Sequence, residues 1–309
     1  MSQKIIFIHG LASKPKIDVL YDNWSKCLYD NLHLYNNNSS INTDEQCSMV
    51  YWANEIPNHL EDTQDYANKV KLQIDELISK RVSMGNDFHV GLGDKFKNFF
   101  LDKGLDAISF LSSALTIKDN LSEALLKEIR LYKNDQYIAD KIRKTLEEEL
   151  IRAWENNEKV CILSHSMGTI IAYDVLWRFS NKNVAPFKSF SDKKVNLFIT
   201  MGSPLGDKVV QNLLFAEDFK DNDRRKYFDN VQTWINFSAL GDAVSHDSTL
   251  KDDFIKPMQD LGLLDENSTD YVDLYNPFKT PDGNSNAHKS YGYLLQPKLA
   301  KVVNDFLEN

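Results

Sequence analysis

Leu163-Ser164-His165-Ser166-Met167-Gly168-Thr169 is the stretch that decides the fold. The apolar run Lys159-Val160-Cys161-Ile162-Leu163 leads into it, and Ile170, Ile171, Val175 and Leu176 follow at helical spacing. A buried strand, a tight turn and an apolar helix form the setting of a nucleophile elbow. Such a turn strains its central serine, so the residues two before and two after must be small; here they are Ser164 and Gly168. The pattern reads SxSxG where GxSxG is usual. Ser166 then stands at the top of a sheet and the start of a helix, where free N–H groups and the helix dipole favour negative charge. The plainer reading is a serine capping an ordinary strand-to-helix turn.

Outward from this turn, Ile5–Ile8, Val195–Thr200, Val231–Phe237 and, more weakly, Ser48–Trp52 read as further strands. Near-continuous apolar runs indicate strands covered on both faces, as in parallel sheets. Helical stripes lie between them: Val70, Ile74, Leu77 and Ile78; Ile138, Ile142, Leu146, Leu150 and Trp154; and Leu299, Val302, Val303 and Phe306 after Pro297. Strand and helix signals alternate, so a doubly wound α/β fold with a mostly parallel sheet is expected. Asn36–Ser40 reads as a surface loop.

Residues 81–135 break the alternation. Phe88, Phe96, Phe99, Phe100, Leu101, Ile108, Phe110, Leu111 and Leu115 fall there, punctuated by Gly85, Gly91, Gly93 and Gly104. The expected organisation is residues 1–80 as the first part of the α/β core, 81–135 as a helical insertion, and 136–309 as the rest of the core. The insertion reads as an ordinary buried cap, a lid, a substrate-chain pocket or a membrane-touching face, the last with Lys95, Lys97 and Lys103 beside the aromatics.

Loops at the carboxyl ends of parallel strands hold the chemistry of such sheets. Phe7-Ile8-His9-Gly10-Leu11 ends the first strand, and Gly10 lets backbone approach a substrate closely. The backbone N–H groups of Leu11 and Met167 are the expected oxyanion donors. Asp242 follows the Val231 strand, where a carboxylate can orient a histidine; Gly241-Asp242 is also a common turn pair, and Asp247 and Asp207 compete for the role. His288 and His246 lie after Asp242 in the chain, and His288, just before the C-terminal helix, is the preferred base. His9 precedes the serine in the chain, against the expected order. His165 should point away from Ser166, and His33, His59 and His89 have no ligand-like spacing.

Composition narrows the function classes. The chain has 309 residues, 42% hydrophobic and 26% charged, with a formal net charge of −9. That excludes a disordered chain and argues against a nucleic-acid partner, which needs clustered Lys and Arg. Its three cysteines show no CxxC spacing, which argues against a disulfide framework or a thiolate zinc site. Met1–Lys4 leads directly into a short apolar run with no signal-peptide pattern, and no apolar stretch reaches the length of a membrane span. The expectation is a protein of a reducing compartment, the cytoplasm, that needs no cofactor or metal.

These pieces together resemble the α/β-hydrolase superfamily, over Ile5–Leu11, Val160–Trp177, Val195–Leu205, Trp234–Val244 and His288–Leu294. The continuation Thr169–Leu176, the Gly202-Ser203-Pro204-Leu205 turn and His288-x-x-Tyr291-Gly292-Tyr293-Leu294 are similar to a bacterial lipase/esterase-like branch. The chain departs from the superfamily in opening directly at its His-Gly strand and in residues 81–135. The resemblance implies a serine hydrolase acting on carboxylic esters of small molecules or lipids. Ser166, Asp242 and His288 would form its catalytic triad and Leu11 and Met167 its oxyanion hole. Serine at the elbow disfavours the aspartate-nucleophile dehalogenases and epoxide hydrolases. A thioesterase, amidase or acyltransferase would use the same residues, and a non-catalytic scaffold would need none of them.

Overall fold

The computed structural model describes residues 1–11, 13–39, 41–57, 59–85, 129–216, 219, 223–245 and 249–309. Their centre is a six-stranded, all-parallel sheet in the order β2-β1-β3-β4-β5-β6. The strands are β1 (Gln3–Ile8), β2 (Cys47–Val50), β3 (Lys159–His165), β4 (Val195–Met201), β5 (Val231–Ala239) and β6 (Thr269–Leu274). Helices α1 (Ile17–Tyr35), α2 (Gln64–Met84) and α5 (Pro297–Glu308) cover one face; α3 (Gln136–Glu155) and α4 (Met167–Asn181) cover the other. This is the doubly wound arrangement expected, and it is consistent with an α/β-hydrolase fold.

The unbroken apolar strands follow from the two covered faces. Successive side chains of a strand point to opposite sides. Ile6, Ile8, Val160, Ile162, Phe198 and Trp234 pack under α3 and α4, while Ile5, Phe7, Cys161, Leu163, Leu197 and Ile199 pack under α1, α2 and α5. Register pairs Ile6 with Ile162 and Phe7 with Leu163, so each layer is continuous across the sheet. Each such side chain taken from water contributes about 1.5–3 kcal/mol.

Local signals set the helix ends. The Asp135 carboxylate accepts the Ile138 N–H at the start of α3, and Thr63 does the same for Tyr66 at the start of α2. α2 runs on through Arg81 to Met84 and closes at Gly85, whose φ of 54° suits glycine. The chain is helical again at residues 129–134. The aromatic stretch Phe88–Leu115, with His89, Lys95, Lys97 and Lys103, lies outside the described residues, and with it the lid, cap and membrane-face readings.

Three elements differ from the sequence reading. β2 stops at Val50, because Trp52 turns away to donate its indole N–H to the His9 carbonyl and stack on the His9 ring at 4.8 Å. β6 is absent from the sequence reading: Thr269-Asp270-Tyr271-Val272-Asp273-Leu274 is an edge strand half-buried or exposed until Leu274, with no continuous apolar run. So is α1, although Leu20, Trp24, Cys27, Leu28 and Leu32 bury one face at i, i+4, i+7, i+8 and i+12.

Candidate active site

The backbone turn at Ser166 comes first. It joins β3 to α4 with φ 53° and ψ −127°, a strained conformation for a serine that the surroundings must hold. They do so from three sides. The Ser166 N–H donates to the Met201 carbonyl of β4 (3.0 Å). Thr169 Oγ1 donates to the Ser166 carbonyl (2.7 Å) and also meets Ser203 Oγ at 2.9 Å, tying the elbow to the turn after β4. At Gly168, a Cβ would stand 2.6 Å from the His9 carbonyl oxygen and 2.7 Å from that of Ile8, so only glycine lets α4 start against β1. Gly10 is equally constrained, since a Cβ there would come 2.5 Å from Ser166 Cβ.

Ser164 occupies the position where glycine is usual. Its hydroxyl turns into the sheet and donates to the Ile199 carbonyl (2.8 Å). The extra oxygen is therefore satisfied, which is why a serine is accommodated here.

Asp242 and His288 meet, as the sequence expects. His288 Nδ1 lies 2.9 Å from both Asp242 oxygens. A carboxylate only accepts, so Nδ1 carries the hydrogen and Nε2 carries the lone pair. Asp242 also accepts the backbone N–H of Val244 (2.9 Å) and Ser245 (3.3 Å) and the Tyr293 hydroxyl (2.6 Å). Burial alone would push this carboxyl up. The neighbouring His288 and the hydrogen bonds from His288, Tyr293 and Val244 outweigh it and hold the group well below the usual carboxylate range.

The loop carrying His288 is itself held. Asn276 Nδ2 donates to the Ala287 (2.7 Å) and Lys289 (2.9 Å) carbonyls, and the His288 carbonyl accepts from His165 Nε2 (2.6 Å). His165 is buried, and burial followed by the nearby His288 lowers its pKa well below the ordinary value, so it remains neutral. It points off the elbow and supports the His288 loop from below, its ring 4.6 Å from that of His288. Gly202, next to the Met201 carbonyl that holds Ser166, closes the group. A Cβ there would stand 2.7 Å from Asp242 Oδ2 and 3.0 Å from His288 Nδ1.

Leu11 follows Gly10 against the elbow, and Met167 opens α4, where the first N–H groups have no intrahelical acceptor. His9 lies on the other side of the same loop. Its Nδ1 faces the Gly10 carbonyl at 2.7 Å, and burial and then Lys14 lower its pKa well below the ordinary value. Of the competing residues, Asp207 is occupied as the cap of the Lys208–Gln211 turn. His33 and His59 stand elsewhere, and His246 and Asp247 lie outside the described residues. Tyr293, Asn276 and Gly202 are the residues of this site without an assigned role in the sequence reading; Tyr293 and Gly202 were visible only as parts of recurring motifs.

A groove of about 650 Å3 lies at the opposite end of the sheet, among Lys159, Asn196, Asp265 and Asn309, away from these side chains. Among the described residues, no helix is long and apolar enough to cross a membrane. All three cysteines are buried free thiols.

The family model of lecithin:cholesterol acyltransferase matches residues 127–219. That segment contains α3, β3, the Ser166 turn, α4, β4 and the Gly202 turn, and stops short of Asp242 and His288. Neither the curated proteins nor the solved structures contain a match to this chain.

Proposed function

We propose that this protein is a serine acyl-transfer enzyme that cleaves carboxylic esters, with Ser166 as nucleophile, His288 as general base and acid, and Asp242 as the residue that orients His288. The observation that carries the reading is the Asp242–His288 pair built beside a strained serine turn. A fold has no structural need for a buried carboxylate, an imidazole and a strained serine together at the carboxyl ends of its strands. The match to an acyltransferase family over the elbow segment supports the same chemistry.

In this mechanism Ser166 Oγ attacks the ester carbonyl carbon while His288 Nε2 takes the hydroxyl proton. Asp242 keeps the proton on Nδ1 and stabilises the imidazolium that forms. The tetrahedral oxyanion sits on the N–H groups of Leu11 and Met167, each worth about 3–4 kcal/mol of barrier. Collapse expels the alcohol, which takes the proton from His288, and leaves an acyl-serine. Water, activated by His288, then releases the acid and restores Ser166.

A second acceptor alcohol in place of water would make the same enzyme an acyltransferase, a reading favoured by the matched family's printed name. Within the ester-cleaving reading, a lipase/esterase-like enzyme of bacterial type remains our assignment. Its three separate buried thiols suit a reducing compartment such as the cytoplasm.

Intact-mass labelling with a fluorophosphonate tests the proposal. One adduct on the wild type is expected, absent in Ser166→Ala and strongly slowed in His288→Ala. A folded wild-type protein with no adduct, or an adduct that survives in Ser166→Ala, overturns it. Adding an alcohol during ester turnover then separates transfer from hydrolysis through the appearance of a new ester.

A further inference from the structure

A cavity of about 190 Å3 opens beside the candidate site, and the two share a wall at Leu11 and His288. His9, Lys14, Trp24, Asp62 and Lys289 are among the other residues that line it. At this size it holds a small group; cavities for larger organic ligands start at about 300 Å3.

What the cavity presents is mostly donors and positive charge. Among the described residues nothing hydrogen-bonds or ion-pairs the Lys289 amine, which stands 5.5 Å from the centre of the Tyr291 ring. Burial pushes its pKa down, and the charge of Asp62 offsets that in part. The Lys14 amine is the second ammonium, turned toward the Leu11 and Ser13 carbonyls. The Trp24 indole N–H is buried, with the residue only 1% exposed, and has no partner among the described residues. The one carboxylate on the lining, Asp62, accepts the Ser13 hydroxyl at 2.7 Å.

Besides the Asp62 carboxylate, a neutral acceptor faces this set. With its Nδ1 hydrogen turned to the Gly10 carbonyl, neutral His9 presents a bare Nε2, buried and without a partner among the described residues. Leaving a buried polar atom unpaired costs about 1–3 kcal/mol. Two ammonium groups, an unpaired indole N–H and an unpaired imidazole lone pair are together the complement of an oxyanion that retains one O–H.

We propose that this cavity is the subsite for a compact oxyanion bearing a hydroxyl hydrogen, the chemistry of a phosphate group, carried by the ester that the neighbouring serine cleaves. The inference rests on the function proposed above and names the class of its substrate. Lys289 and Lys14 meet the charge, Trp24 donates to one oxygen, and His9 Nε2 accepts the O–H. A cavity of this size and polarity selects a small anionic ester over a long neutral chain.

Titration calorimetry with inorganic phosphate and with sulfate, at pH 7 and matched ionic strength, tests it. Phosphate should bind, and sulfate, which has no O–H at this pH, at least tenfold more weakly. Lys289→Gln should weaken phosphate at least tenfold and Lys289→Arg should restore it, while Asp62→Asn should tighten it. No phosphate binding, equal binding of the two anions, or indifference to Lys289→Gln overturns the subsite. In turnover of 4-nitrophenyl acetate, phosphate should raise KM and leave kcat unchanged; a fall in kcat alone would remove the anion from the substrate. Because calorimetry needs no turnover, loss of the Ser166 adduct with phosphate binding intact would strike the hydrolase reading and leave the anion site standing.

Discussion

The Tyr293 hydroxyl donates to Asp242 Oδ2 at 2.6 Å while accepting the Ala239 N–H at 2.8 Å. Asp242 is thus fixed from two directions: by its own loop, through Val244 and Ser245, and by the short helix Ser290–Leu294 that follows its partner His288. Residues 288–294 thus supply both the imidazole and a second hydrogen bond to the carboxylate it faces.

Tyr293→Phe removes this bond and little volume. A hydrogen bond to a charged group is worth about 1.5–3 kcal/mol. Ester kcat should fall about 10- to 100-fold, with KM nearly unchanged and the Ser166 adduct still formed, more slowly. The carboxyl of Asp242 should also rise toward its ordinary range, read as an upward shift of its titration by carboxyl-carbon NMR. An unshifted carboxyl titration with lower kcat would make Tyr293 a packing residue only.

Gly202→Ala introduces a Cβ at 2.7 Å from Asp242 Oδ2 and 3.0 Å from His288 Nδ1, at a φ of 54°. Neither contact is tolerable, so the pair must separate. Activity should drop at least 100-fold while the far-ultraviolet circular dichroism is retained, with a stability loss of about 1–3 kcal/mol from the backbone strain. A variant with wild-type kcat would show that the pair tolerates displacement.

Ser164→Gly restores the more usual pattern around Ser166, the proposed nucleophile. It deletes the bond to the Ile199 carbonyl and adds backbone freedom to β3, for a combined loss of about 1–2 kcal/mol. Since Ser164 touches none of the reacting groups, kcat should stay within about threefold while the denaturation midpoint falls. A large loss of kcat would mean that the elbow's strain depends on this side chain.

Asp174, on α4, is buried and accepts the Tyr132 hydroxyl (2.9 Å) and the Phe215 N–H (3.1 Å). Burial pushes its carboxyl up to about 6 despite these bonds and the nearby Arg143. A folded-state pKa above the unfolded value of about 4 contributes stability in acid that is lost as pH rises through about 6. The shift corresponds to roughly 3 kcal/mol. Asp174→Asn keeps both partners without the charge. Urea unfolding should find it similar to wild type at pH 4 and more stable by up to roughly 3 kcal/mol at pH 8. Equal stabilities at pH 8 would place the carboxyl in an ordinary ionised state.

By itself, the sequence determined the four inner strands of the sheet and the candidate residues. Burial on both faces leaves unbroken apolar strands, and the small residues around Ser166 are forced by backbone contacts only a few residues away in the chain or across one strand pair. Both kinds of signal are local, so β1, β3, β4, β5 and the Ser166, Asp242 and His288 positions were readable one segment at a time. Helix α1 is equally local, its buried face spelled by Leu20, Trp24, Cys27, Leu28 and Leu32. Edge strand β6 was not readable in this way, because a strand with one wet face alternates weakly and looks like a loop. What only the tertiary structure decided is the set of relationships between distant segments. Tyr293 clamps Asp242 across 51 residues, Gly202 makes room for two side chains far along the chain, and His165 turns to hold the His288 carbonyl. The unpaired groups of Lys289, Trp24 and His9 converge on one small cavity for the same reason. No propensity records them, because a hydrogen bond or a clash is fixed by position in space, and one or more parallel crossovers separate those positions in sequence.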